Sequence, residues 1–238
     1  MCGRFASSTP VSKLVEQFLV DEVTVDAHEP NWNVAPTNDI LAVAASKEGV
    51  RRLGTFKWGL VPSWAKDPSI GNRMINLRAE TVSEKPSFKR TLAKHRCIIP
   101  IDGFYEWKAM GAGRKKQPFY IRSRDGTALA LAGLWEAWKD KDKAGEADDE
   151  WLRTCTIITT TPNKLLAPIH DRMPVVLPLE AWDTWLDRDN DDVDALAALL
   201  RPAPDDLLEL YPVSPEVNSV RNNGEQLIAP LEGHDPAD

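Results

Sequence analysis

The residue whose type and place carry the most chemistry is Cys2. A small second residue lets an aminopeptidase remove Met1, and Cys2 would then carry a free α-amine beside its thiol. Such a 1,2-aminothiol condenses with an aldehyde to an imine, after which the thiol closes on the same carbon to give a five-membered thiazolidine. Both nucleophiles need only modest deprotonation, since an α-amine titrates at about 8 and a thiol at about 8.5. Taken from position alone, the simpler reading is that Cys2 is a small residue at a frayed end. Neither lipid anchor fits, because myristoylation needs glycine in the second position and a lipoprotein cysteine needs a signal segment before it.

His170, one of four histidines, follows a proline-containing loop and precedes an apolar run, where a β scaffold would present a general acid or base. A histidine satisfied by structural partners is the plain alternative. Glu106 alternates with large aromatics in Phe-Tyr-Glu-Trp, and is either a wet-face residue or a buried carboxyl suited to proton transfer. Asn76 and Arg78 alternate in an extended segment, which puts an amide and a guanidinium on one face; the first could orient a sugar or a water and the second a phosphate. Arg4, Arg90 and Arg172 are further candidate phosphate ligands, although a lone arginine is usually a solvated surface residue. Trp58 and Trp64 bracket Gly-Leu-Val-Pro-Ser and offer a stacking platform for unpaired bases, or belong to the core.

Positioning these groups requires a framework, and 238 residues with 42% hydrophobic side chains suffice to bury one. Thr9 and Pro10 read as an N-cap and first helical residue, with Val11, Leu14, Val15 and Phe18 at helical spacing behind them. Ile40 to Ala45 and Val50 to Trp58 read as a strand pair, and Val61 to Arg73 as an irregular loop. A short helix over Pro86 to His95 leads into strands at Arg96 to Pro100, Phe104 to Lys108, Phe119 to Arg122 and Leu129 to Trp138, so the middle of the chain reads as antiparallel β. Trp151 to Thr161 reads as a buried strand, while Leu179 to Leu186 and Val193 to Leu200 have helical patterns. The class is α+β, as one domain over 1–231, with 139–150 a mobile insertion and 232–238 a disordered tail.

Three cysteines without CxxC spacing argue against a disulfide framework or structural zinc, and Cys97 and Cys155 sit in apolar stretches suited to a core. The sequence carries neither a membrane-length apolar run nor a signal core, so the expected location is the cytoplasm, near the nucleoid in a bacterium, or the nucleus in a eukaryote. A net charge of −7 does not by itself suggest DNA. The acid is concentrated near 139–150 and in the C-terminal half, however, and Arg51 to Arg124 is rich in Lys and Arg, which leaves room for a local basic groove.

Seven short stretches then fall in order: Met-Cys-Gly-Arg-Phe at 1–5, Asn-Val-Ala-Pro at 33–36, Trp-Gly-Leu-Val-Pro-Ser-Trp-Ala at 58–65, Asn-Leu-Arg-Ala-Glu-Thr at 76–81, Asp-Gly-Phe-Tyr-Glu-Trp at 102–107, His-Asp-Arg-Met-Pro at 170–174 and Val-Ser-Pro-Glu-Val-Asn at 213–218. Together they resemble the SOS response-associated peptidase (SRAP) family over nearly the whole chain. Leu77 departs from it, since the family usually has alanine there.

The resemblance implies an α+β fold with a bifurcated, partly barrel-like antiparallel sheet flanked by helices, and one groove that takes a single DNA strand. It implies a covalent crosslink between the N-terminal cysteine and a ring-opened abasic sugar. Catalysis would then fall to Cys2 as amine and thiol, Asn76 as positioner, Glu106 as proton carrier and His170 at the sugar oxygen. Arg4, Arg78 and Arg172 would hold phosphates and Trp64 the bent strand, with Asn33, Pro36, Trp58 and Arg90 completing the DNA-contacting set. The expected partner is single-stranded DNA containing abasic sites, bound by a monomer without metal or organic cofactor. Two rival readings remain: a thiol peptidase with Cys2, His170 and Glu106 as nucleophile, base and orienter, and a non-catalytic single-strand or modified-base binding module.

Overall fold

The computed structural model describes residues 2–25, 28–140 and 151–231. The expected tail at 232–238, and the expected insertion from residue 141 to 150, lie outside the described residues.

Apolar strands buried on both faces build a sheet that closes on itself. β4 (Asp39–Ala45) and β5 (Arg51–Trp58) form an antiparallel pair running from Asp39 opposite Lys57 to Ala45 opposite Arg51. β4 also meets β7 (Arg96–Ile101), β7 pairs with β10 (Leu129–Trp138), and β10 with β11 (Leu152–Thr160), each antiparallel. The ring is completed by a parallel contact, with Thr154 opposite Lys57 and Cys155 opposite Trp58. Closure pairs the backbone groups that an open edge would leave exposed. The antiparallel expectation holds for the middle of the chain, but this parallel closure was not in it. Strand periodicity identifies a strand without identifying its neighbour.

The two-residue period sorts the faces of β4. Leu41, Val43 and Ala45 belong to one apolar cluster with Leu14, Val82, Leu92, Trp185 and Leu196. Those partners come from α1 (Val11–Gln17), α2 (Ala79–Glu84), α3 (Pro86–Lys94), α4 (Trp182–Leu186) and α5 (Val193–Ala198). Ile40, Ala42 and Ala44 instead join Phe56, Trp58, Cys97, Cys155 and Ile157 in a second cluster, so both expected core cysteines are buried.

A second, antiparallel sheet has the order β13 (Leu208–Pro212), β9 (Gln117–Ser123), β8 (Gly103–Lys108), β1 (Phe5–Ser7), β3 (Asn31–Val34). The chain passes from β7 in the ring to β8 in this sheet at Asp102, which is the point of bifurcation. Shorter strands extend the ring sheet: β2 (Glu22–Val23) beside β5, and β6 (Asn76–Arg78) and β12 (Met173–Pro174) beside β11.

Two local readings shift. α1 begins at Val11 with Pro10 as its cap, because Thr9 is engaged elsewhere: its hydroxyl donates to Asp102 Oδ1 at 2.6 Å. The 61–73 loop contains a 3-10 turn, Pro68–Arg73, capped by Asp67. The loop returns against the end of β5 at a point where both residues must be glycine. A Cβ on Gly71 would lie 2.6 Å from the Gly59 carbonyl oxygen, and Gly59 has φ +133.

Candidate active site at the junction of the two sheets

β1 and β8 run antiparallel with Phe5 opposite Phe104, and the Tyr105 N–H donates to the Arg4 carbonyl at 2.9 Å. Continuing that register brings Glu106 to the level of Gly3, next to Cys2. Asp102 anchors the same segment by accepting from the Ser8 N–H and hydroxyl at 2.5 and 2.6 Å and from the Thr9 N–H and hydroxyl at 3.3 and 2.6 Å. From the other sheet, Asn76 on β6 donates its Nδ2 to the Cys2 carbonyl at 2.8 Å. Cys2, which belongs to the apolar cluster that includes Phe5, Trp58 and Met173, is thus held at the seam between the sheets.

Charge and burial couple these groups. Burial pushes the Cys2 thiol well above the usual thiol range, and the Glu106 carboxylate adds to the rise. Glu106 is 2% exposed, and burial raises its carboxyl above the usual range while the terminal amine, and after it His170, draw it part of the way back down. The thiol therefore stays protonated in this setting, and Glu106 is poised to hold a proton where an exposed glutamate would not.

His170 ends a compact turn between β11 and β12. Asn163 organises that turn, accepting from the Leu166 N–H at 3.0 Å and donating to the Ala203 carbonyl at 3.2 Å, while the His170 N–H donates to the Leu166 carbonyl at 3.0 Å. At the ring, the Arg172 backbone N–H donates to Nδ1 at 3.0 Å. Asp171 Oδ1 lies 2.8 Å from the same nitrogen, but Nδ1 cannot accept one bond and donate another at once. The carboxylate of Asp171 is largely exposed, and an exposed ion pair contributes about 0–1 kcal/mol. Arg172 is buried, and a buried N–H left without an acceptor costs about 1–3 kcal/mol. In the neutral ring the backbone bond prevails.

The DNA-contacting candidates separate by burial. Arg78 and Arg90 are exposed, and Trp64 is 67% exposed. Trp58 is fully buried and donates its indole N–H to the Ile75 carbonyl at 2.9 Å, so it is a core residue and not an accessible stacking platform. Asn33 is also buried, with Nδ2 donating to the carbonyls of Ser219 and Asn222 at 2.9 Å; it braces the 217–222 segment. Arg4 is half-buried, with Nη1 on Asn33 Oδ1 at 2.6 Å and the Val217 carbonyl at 2.9 Å, and its guanidinium lies over the Trp107 ring. Arg172 is buried in a two-point pair with Glu80, at 2.8 and 2.9 Å, and also donates to the Thr159 carbonyl at 2.6 Å. Its guanidinium is engaged with protein and not presented to a phosphate. Pro36 is half-buried.

The site therefore brings Cys2, Asn76, Glu106 and His170 together with Arg78 on the same strand as Asn76. Sequence reasoning passed over Asp102 and Glu80, although both lie inside quoted motifs. Nothing in their spacing links Asp102 to Ser8 or Glu80 to a guanidinium 92 positions away. Among the described residues no group of three or more His, Cys, Asp or Glu is placed to hold a metal, and no helix is long and apolar enough to cross a membrane.

The chain is similar to relatives of known sequence and to a solved structure. The chain is 45% identical over 229 residues to the abasic site processing protein YoqW of Bacillus subtilis, covering 96% of this chain and 99% of that one. It is 43% identical to the abasic site processing protein YoaM of the same organism over 96% of this chain and 97% of its relative. A solved structure of a protein from Bacteroides thetaiotaomicron superposes with a TM-score of 0.83 at 26% identity, covering 97% of this chain and all of the other. With residues 1–220 matching the sequence profile described as SOS response associated peptidase (SRAP), the chain belongs to that family.

Proposed function

We propose that this protein processes abasic sites, capturing the ring-opened sugar in single-stranded DNA through Cys2 after loss of Met1. The observation that carries the reading is the seating of Cys2: its carbonyl is held by Asn76 at 2.8 Å and its thiol lies within the field of a buried carboxyl. The relatives' names as abasic site processing proteins support the same substrate.

The chemistry closes without a cofactor. Opening the sugar moves a proton from the anomeric hydroxyl to the ring oxygen and yields an aldehyde, a transfer suited to Glu106 with its raised affinity for a proton. The Cys2 amine adds to the aldehyde carbon, and water leaves with a proton supplied by Glu106, giving an iminium. The thiol sulfur then attacks the iminium carbon while its proton passes to the Glu106 carboxylate. Aldehyde plus aminothiol become thiazolidine plus water. A thiol kept protonated by burial suits this order, with the amine acting first. His170 stabilises the sugar oxygen, and exposed Arg78 and Trp64 would guide the strand.

The test is a denaturing gel of the Met1-processed protein with a single-stranded oligonucleotide carrying one abasic site. A shifted, denaturant-stable band should form with the wild type and disappear with Cys2→Ala. Absence of the band, with Met1 shown by mass spectrometry to be removed, would leave the thiol peptidase and binding-module readings in its place.

A further inference from the structure

We propose that Glu80 is a positioning residue for His170: its two-point pair with Arg172 holds the Arg172 backbone N–H on His170 Nδ1, so that the neutral ring carries its proton on Nε2. Three contacts make the clamp. Glu80, in the first turn of α2, takes both Arg172 terminal nitrogens at 2.8 and 2.9 Å; Arg172 Nη2 also donates to the Thr159 carbonyl at the end of β11, at 2.6 Å; and Arg172 N–H reaches Nδ1 at 3.0 Å. Residue 172 is thereby fixed to a helix and a strand at once, and the donor that selects the tautomer cannot drift. Arg172 keeps Glu80 charged by holding its carboxyl below the usual range.

The tautomer decides what His170 can do. A backbone N–H only donates, so the Nδ1 lone pair is taken. The other nitrogen then bears the hydrogen. A neutral ring in that form has no lone pair left to accept a thiol proton, and it serves as a hydrogen-bond donor to an oxygen that gains negative charge. This assigns proton transfer to Glu106 and oxygen stabilisation to His170, and it removes the base that a Cys2 peptidase would need. That division of labour rests on the abasic-site reading; the tautomer does not.

The deciding experiment has two arms. In the first, imidazole nitrogen NMR of the protein, recorded where the ring is neutral, should show His170 protonated at Nε2 in the wild type, a mixture of tautomers in Glu80→Ala, and the wild-type pattern again in Glu80→Gln, which keeps an acceptor for Arg172. In the second, the adduct-forming rate should fall about tenfold in Glu80→Ala and recover most of that in Glu80→Gln, and Glu80→Ala should cost nothing further in a His170→Ala background. An Nδ1-protonated wild-type ring, an unchanged pattern in Glu80→Ala, or additive losses in the double variant would each overturn the proposal. Loss of the adduct assay altogether, with the NMR pattern as expected, would strike the abasic-site reading and leave the clamp standing.

Discussion

Glu106 sits on a strand between Tyr105 and Trp107 with almost no contact with water, and burial is the main cause of its raised carboxyl. A group whose folded pKa is raised contributes stability that is complete below its unfolded value and is lost as pH climbs through the folded one. Glutamine at this position does not titrate. Glu106→Gln should therefore gain on the wild type in melting temperature as pH rises from about 4 towards about 8, while its capture rate falls by about 10²–10⁴-fold, the usual contribution of a positioned acid. Parallel melting curves across that range would show that the carboxyl is not held up by burial. This opposition of stability and function is why Glu106 was readable as a candidate: an acid alternating with aromatics is costly to bury. Arg172 and Trp58 misled for the converse reason. Residue type says what a guanidinium or an indole can bind, whereas burial decides what it does bind, and here Glu80 and the Ile75 carbonyl were first.

At the scale of elements, the hinge between β7 and β8 does more than change sheets. Asp102 gathers four hydrogen bonds from Ser8 and Thr9 and so fixes the exit of β1, the strand that Cys2 precedes. Hydrogen bonds to a charged group contribute about 1.5–3 kcal/mol each, and not additively. Asp102→Ala should cost about 2–4 kcal/mol in a denaturant melt on that basis, and should slow adduct formation at temperatures where the variant is fully folded. A variant that loses stability but captures at the wild-type rate would show that Cys2 is held by Asn76 and its apolar neighbours alone. The strands themselves were legible, because Ile40 to Ala45 and Val50 to Trp58 flank a Lys-Glu-Gly turn and the run after Trp151 is β-branched. The parallel contact of Thr154 and Cys155 with Lys57 and Trp58 was not, since it joins segments nearly a hundred residues apart whose local patterns say nothing of each other. The cap of α1 slipped by one residue for a related reason: Thr9 has cap chemistry, but Asp102 competes for its hydroxyl and wins.

At the scale of the whole molecule, the proposed function asks a chain of net charge −7 to bring a polyanion to its seam. The sequence offered Arg4, Arg78, Arg90 and Arg172 as candidate phosphate ligands, and each one that reached a phosphate would add to the salt dependence of binding. The structure changes the count. Arg172 is buried against Glu80, and Arg4 is committed to Asn33, the Val217 carbonyl and the Trp107 ring, leaving Arg78 and Arg90 exposed. A single strand gives a slope of about −0.7 in log affinity against log salt for each phosphate neutralised. Two exposed arginines predict a slope of about −1.4, shallow for a nucleic-acid protein, and Arg78→Ala should reduce it to about −0.7. The measurement is strand affinity against salt with Cys2→Ala protein, which separates binding from capture. A covalent step tolerates such weak binding, because an adduct accumulates from brief encounters. A slope several times steeper would mean that Arg4 or Arg172 leaves its protein partners for phosphate when DNA arrives, and for Arg172 that exchange would release the clamp on His170.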